Sequence, residues 1–383
     1  MNKTSISLIL AFLITNIAFA QDIKNMSLSG YVSNMESTMF EDINNDWISD
    51  NLIHNRLNFN WYPINWLTID IEMRNRIMWG NTFLIYPDYP QMIDTDNGFF
   101  DLTTNVFSGK SYLLNSTIDR AYIEINKGKW NLKAGRQRIN WGQNFVWNPN
   151  DIFNSYSFFD FDYAERPGAD ALRVQYYTSM SSLAEIAIKA NHNNDITAAG
   201  LYRFNKWNYD FQFLSGLLNS SDYVAGMGWT GSIKDAGFSG ELSYFKPLKE
   251  NDENKEILVA GLGANYTFEN SLMLQLEVLY SEDADQDVGA LMEYYSNELS
   301  AKTLSFSEYS IMAQSSYTFN PLLSGTMAVM YYPGVDGYFA GPSLEYSLSN
   351  NLYLSVFGQY FDVTVNSIHT KMSFLFLRIK GNF

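Results

Sequence analysis

Arginine dominates the chemistry this sequence could do. The chain has ten, and eight of them (Arg56, Arg74, Arg76, Arg120, Arg136, Arg138, Arg166 and Arg173) fall between positions 56 and 173. Guanidinium is always charged and presents a rigid fork of donors that suits carboxylates, sulfates and phosphates. Asp70, Glu72 and Glu124 are interleaved with these arginines. Two chemistries are therefore open: a path along which anions pass between weak sites, or a lattice of ion pairs that stiffens a wall. No reaction chemistry stands beside them. His54, His192 and His369 lie far apart, cysteine is absent, and no Ser/His/acid set gathers in one neighbourhood. Neither an enzyme nor a metal or other cofactor is expected. The segment Asp94–Gly98 begins like a calcium loop but lacks its closing glutamate, and it reads as an acidic turn.

The elements that must position these side chains are strands. In the stretch 67–78, Leu67, Ile69, Ile71 and Met73 alternate with Thr68, Asp70, Glu72, Arg74 and Arg76. A period of two gives one apolar and one polar face. Similar segments recur near 27–39, 51–61, 118–126, 130–139, 170–178, 183–191, 197–205, 207–217, 222–233, 237–246, 257–268, 272–282, 307–319, 322–333, 338–348, 352–362 and 370–383. Every second connection is tight, as at 63–65, 127–129, 180–181, 205–206, 234–236, 269–271, 320–321 and 349–351. The others include long ones at 79–117, 140–169 and 283–306. Short turns at one rim and long loops at the other predict an all-β fold, a transmembrane antiparallel β-barrel of about 18 strands, with 16 as the alternative. The short turns are then periplasmic and the long loops extracellular.

Residues 1–20 read as a cleaved signal: Lys3, an apolar run from Ile6, then Ala18-Phe19-Ala20 before Gln21. Residues 21–383 then form a single barrel domain in a bacterial outer membrane. Aromatic residues make up 16% of the chain, enough to supply interfacial girdles. The excess of 41 acidic over 25 basic residues argues against nucleic acid as a partner. Expected partners are outer-membrane lipid and lipopolysaccharide, and the barrel-assembly machinery through the last strand. There Leu375, Leu377, Ile379 and the terminal Phe383 share one face. Asp283, Asp285 and Asp287 read as loop charge before a short amphipathic helix over 288–298.

With the apolar faces in lipid, Arg56, Asp70, Glu72, Arg74, Arg76, Arg120, Glu124 and Arg173 fall on the lumenal register. Around 130–139, strict alternation would send Arg136 and Arg138 into lipid, at a few kcal/mol each. A β-bulge at Gly135 is predicted to return both to the lumen. The loop that follows carries Trp141, Phe145, Trp147, Phe153, Phe158 and Phe159, which would bury if 140–168 folded inward around a turn at Asn148-Pro149. Such a loop either constricts the pore or plugs it.

The segment 135–168 combines Gly135-Arg136-Gln137, Trp141-Gly142, Asn148-Pro149-Asn150-Asp151 and Arg166-Pro167-Gly168. In this it resembles the alginate-export-type and related Arg-rich outer-membrane porins. The resemblance implies an Arg-lined barrel of about eighteen strands, carrying an acidic polysaccharide or small anions. Trp141, Asn148, Asp151 and Arg166 would then belong to the constriction loop. The aromatic and acidic run Tyr156–Tyr163 departs from that pattern and suits a different cargo. The expected function is passive diffusion of anionic or polar solutes, acidic saccharides among them. The alternative is a plugged structural or assembly barrel serving a surface polysaccharide or a secretion partner.

Overall fold

The computed structural model describes residues 25–44, 47–159, 163, 165–249, 255–282, 284, 299–365 and 368–383. The expected signal, residues 160–162 of the aromatic run, the three loop aspartates and the helix over 288–298 lie outside the described residues. Nineteen strands form one sheet. They are β1 (Met26–Phe40), β2 (Ile48–Ile64), β3 (Leu67–Gly80), β4 (Thr103–Ser108), β5 (Tyr112–Lys127) and β6 (Trp130–Gln137). Next come β7 (Ala169–Ser179), β8 (Ser182–Ala190), β9 (Ile196–Lys206), β10 (Tyr209–Leu218), β11 (Asp222–Ile233) and β12 (Ala236–Pro247). The series ends with β13 (Ile257–Thr267), β14 (Met273–Ser281), β15 (Tyr309–Asn320), β16 (Leu323–Tyr332), β17 (Gly337–Ser349), β18 (Leu352–Val365) and β19 (Ile368–Asn382).

Each strand pairs antiparallel with its sequence neighbour, except that β3 pairs with β5, and β19 closes on β1. Eighteen strands therefore make a closed wall, and β4 is additional. β6 pairs with the lower half of β5, from Lys127 to Ala121, and β4 pairs with the upper half, from Thr117 to Leu113. The long connection between β3 and β5 thus supplies wall where the short β6 leaves off. A ring without edges satisfies every strand within the sheet, as lipid requires.

The two faces settle which side meets lipid. On β3, Ile71 is 42% exposed while its neighbour Asp70 is 3% exposed. Outward Ile123, Leu172, Ile186, Phe213, Leu276, Leu344 and Leu375 are likewise exposed, giving an apolar band around the barrel. The inward face holds the charges. Turns at the short rim are tight; Trp207 and Asn208 both take positive φ, the hairpin geometry that matches strand twist.

One expectation fails here. The register of β6 runs unbroken through Gly135 against both β5 and β7, so no bulge lies there. Gly135 has φ +119°, and a Cβ at that position would sit 2.2 Å from the Ala121 carbonyl oxygen. The glycine allows close strand approach rather than a register change. The shift lies one strand away, between Glu72 and Met73 in the β3–β5 pairing, which leaves Asp119 as the extra residue on β5.

Candidate functional site

The loop that follows β6 enters the barrel, and its described residues 138–159 pack against the far wall. Its first half is apolar: Ile139, Trp141, Val146, Trp147, Ile152 and Phe153 are all buried, in one cluster with Leu214, Val224, Phe245, Val259 and Leu279 of the far wall. Backbone amides buried this way need acceptors. Two wall carboxylates provide them. Glu241 of β12, 1% exposed, accepts hydrogen bonds from the amides of Gln143, Asn144 (2.9 Å) and Asn150 (2.8 Å). Glu277 of β14, also 1% exposed, accepts from those of Phe145 (3.1 Å), Val146 (3.0 Å) and Trp147 (2.6 Å). Glu185 accepts from the Trp141 indole at 2.8 Å, and Gln212 donates to the Trp141 carbonyl at 2.6 Å. Small wall residues make the room: a Cβ on Gly226 or Gly261 would lie 2.6 Å from the side chain of Asn150 or Asn144.

Within the loop the Asn148-Pro149 turn forms as expected, closed by the Asp151 amide donating to the Asn148 carbonyl at 3.0 Å. Trp141, Asn148 and Asp151 are buried, so they brace the loop rather than line an opening. Phe145 is 47% exposed, contrary to its expected burial, because its amide is pinned while its ring faces Phe158 from outside the cluster. Burial holds the Asp151 carboxyl up at about 6, against the pull of Arg138 and Lys189. A second connection also folds inward: Ala301, Leu304 and Phe306 are buried, and Phe306 packs on Tyr332.

The loop's return half is fixed to the arginine wall. Arg120 donates 2.7 Å hydrogen bonds to the carbonyls of Glu165 and Arg166. Arg56, wholly buried, pairs with Glu72, with Asp119 (2.7 Å) and with Glu165 (3.8 Å). The Arg74 guanidinium lies 4.0 Å from the Tyr163 ring centroid, and Tyr163 donates to Asp119 at 2.5 Å. Asp70 is buried beside them.

Arg136 does not line the pore. It keeps its strict alternation opposite Ala121 and is 4% exposed, bonded to Asp96 (2.6 Å), Asp170 (2.8 Å) and the Phe100 carbonyl (2.5 Å). Segment 96–100 covers it where β6 leaves the wall, so two carboxylates do the work assigned to a bulge. Asp96, from the calcium-like turn, is thereby an ion-pair partner of Arg136.

Partly exposed cations remain. Arg76 donates to Asn115 at 2.8 Å, and Lys133 pairs with Glu124 at 3.3 Å. Arg138 and Arg166 flank the Tyr156 ring at 5.4 and 3.9 Å. Arg173 donates to Asn131 at 3.0 Å, and Arg203 to Gln212 at 2.8 Å. Arg138, Arg173, Arg203 and Arg378 form no ion pair among the described residues, and the Nε of each is buried without a protein acceptor. The sequence reading missed Glu241, Glu277 and Glu185. The signal available was a single carboxylate on the lumenal register of each of these strands.

No family model and no curated protein matches the chain. Solved structures do. OccK8 (OprE) of Pseudomonas aeruginosa aligns with TM-score 0.59 and 8% identity over 94% of this chain and 98% of its own. OccK11 (OpdR) of the same species gives 0.58 and 10% over 94% and 97%. OccAB4 of Acinetobacter baumannii gives 0.56 and 11% over 95% and 100%. These neighbours are outer-membrane porins of the Occ/OprD family, channels rather than enzymes, and the fold they share with this chain is the closed eighteen-stranded barrel. The broader likeness to outer-membrane porins is supported; the alginate-export-type resemblance is not.

Proposed function

We propose that this barrel resides in the bacterial outer membrane as a porin for passive diffusion of anionic or polar solutes, with loop 138–168 setting the bore. The observation that carries this reading is the division of the cations. Arg56 and Arg120 hold the loop to the wall and Arg136 holds segment 96–100 to it, whereas Arg138, Arg173, Arg203 and Arg378 keep donors uncommitted to any carboxylate among the described residues. Fixed cations held outside direct ion pairs attract anions into a narrow aqueous passage.

Planar-bilayer recording tests it. The expected result is a steady ohmic channel whose reversal potential in a salt gradient favours anions. The second reading, a plugged barrel, is favoured by the apolar packing of the loop and of Ala301–Phe306 against the wall. It predicts no conductance from a correctly folded chain.

A further inference from the structure

The lipid-facing surface is not uniform around the barrel. From β8 to β18 it is built of apolar and aromatic residues and glycine, with Ser215 and Ser315 as isolated hydroxyls between the rims. Across β2, β3, β5 and β4 it carries a polar row instead. Asn55, on the same outward face of β2 as Leu57, lies across from Asn75 of β3. Asn75 lies across from Ser116 of β5, and Ser116 across from Thr104 of β4. The side chains are linked: Ser116 donates to Asn75 Oδ1 at 2.6 Å, Asn75 to Asn55 Oδ1 at 3.2 Å, and Asn55 to the Tyr31 carbonyl at 3.3 Å. Apolar residues flank the row on the same face, with Leu57, Met73 and Ile118 below and Ile53, Ile77 and Leu114 above. The row therefore sits inside the apolar band. Glu36 of β1 and Asn51 opposite it extend the polar sector toward the extracellular end.

Hydrocarbon offers no partner to an amide or a hydroxyl, so hydrogen-bonding capacity left over on this face is a cost. Elsewhere the chain covers its own outward polar groups: segment 96–100 lies over Arg136 and Asp170. Among the described residues nothing covers the row in that way. Thr104 is exposed, and Asn55, Asn75 and Ser116 are part-exposed. Beyond the bonds above, each of the two amides retains an N–H, and the Ser116 and Thr104 oxygens retain lone pairs. The row carries no formal charge and sets donors beside acceptors, so it is complementary to itself. A second copy of this chain facing the first supplies an acceptor for each remaining donor. Its apolar flanks then meet apolar flanks, as a self-complementary contact in a membrane requires.

We infer that the outward face of β2, β3, β5 and β4 is an interface between two copies of this chain, closed by hydrogen bonds along the row Asn55, Asn75, Ser116 and Thr104. The interface depends on residence in the membrane and not on what passes the bore. Cross-linking in outer membranes and sedimentation of the detergent-solubilised full chain test it. The chain has no cysteine, so an introduced one is unique. With a short bismaleimide, Ser116→Cys should give a band of doubled mass, and Leu262→Cys, on the far side of the barrel, should give none. Asn55→Leu with Asn75→Leu should weaken self-association by about tenfold, as loss of two hydrogen bonds in an apolar medium implies. Retained heat-modifiable migration on gels shows that each variant is a folded barrel. If the leucine variant does not fold, the two cysteine variants decide alone. A parent chain that stays monomeric at every concentration overturns the interface, as does self-association unchanged in the folded leucine variant. Equal cross-linking from both faces, or capture of only a different protein through Ser116→Cys, overturns it as well.

Discussion

The arginines divide by partner rather than by position. The cluster itself was legible from residue type and alternation. Its neutralisation was not, because Asp96, Asp119, Glu165 and Asp170 reach Arg56 and Arg136 from segments whose approach only the closed wall dictates. Removing one partner of a buried ion pair leaves the other charge stranded, at about 3–5 kcal/mol. Arg136→Ala should therefore lower the urea midpoint of refolded barrels markedly and leave ion selectivity of the surviving channels unchanged. A selectivity shift at unaltered stability would return Arg136 to the pore. Asp151 makes a second prediction. Its carboxyl titrates near 6 in the seated loop against an ordinary value of 3.8, so the seated loop binds the proton more tightly than the released one. Seating is then strongest below about pH 4, weakens as pH rises toward 6 and is level above, a difference of roughly 3 kcal/mol. Hydrogen exchange of the loop amides should speed up across that window, and Asp151→Asn should flatten the change. An equal pH response in the variant would assign it to other groups.

At the level of elements, all eighteen wall strands were readable, because lipid outside and water inside enforce period two on each of them. β4 was not: it is a six-residue strand with exposed Val106 and Phe107, and it exists only because β6 turns into the lumen early. The inward loop was readable from its aromatics, but its anchors were not. One glutamate among apolar residues on β12 or β14 carries no local sign that it will collect three amides. The anchoring makes a sharp prediction. Glu277→Ala leaves the amides of Phe145, Val146 and Trp147 buried without an acceptor, each costing about 1–3 kcal/mol. The loop should come away from β14, raising single-channel conductance and its noise, with exchange at those amides accelerated. Glu277→Gln keeps an acceptor oxygen and should fall between. Parent-like conductance and exchange in the alanine variant would mean that apolar packing alone seats the loop.

For the molecule as a whole, the question is whether the remaining cations govern what passes. The chain carries a net charge of −16, so bulk charge alone would favour cations. Selectivity for anions must then come from local placement, with Arg173 and Arg203 on β7 and β9 below the loop and Arg138 at its entrance. Local fields of this kind are screened over about 10 Å at 0.1 M salt and about 3 Å at 1 M. Anion preference should be clear at the lower concentration and fade at the higher one. Arg173→Ala with Arg203→Ala should move the reversal potential toward cations at 0.1 M, while conductance at 1 M stays close to the parent's because the loop that sets the bore is untouched. A preference that survives 1 M salt in the double variant would have to arise at a site in direct contact with the ion. Arg138 beside Tyr156 would then be the group to replace.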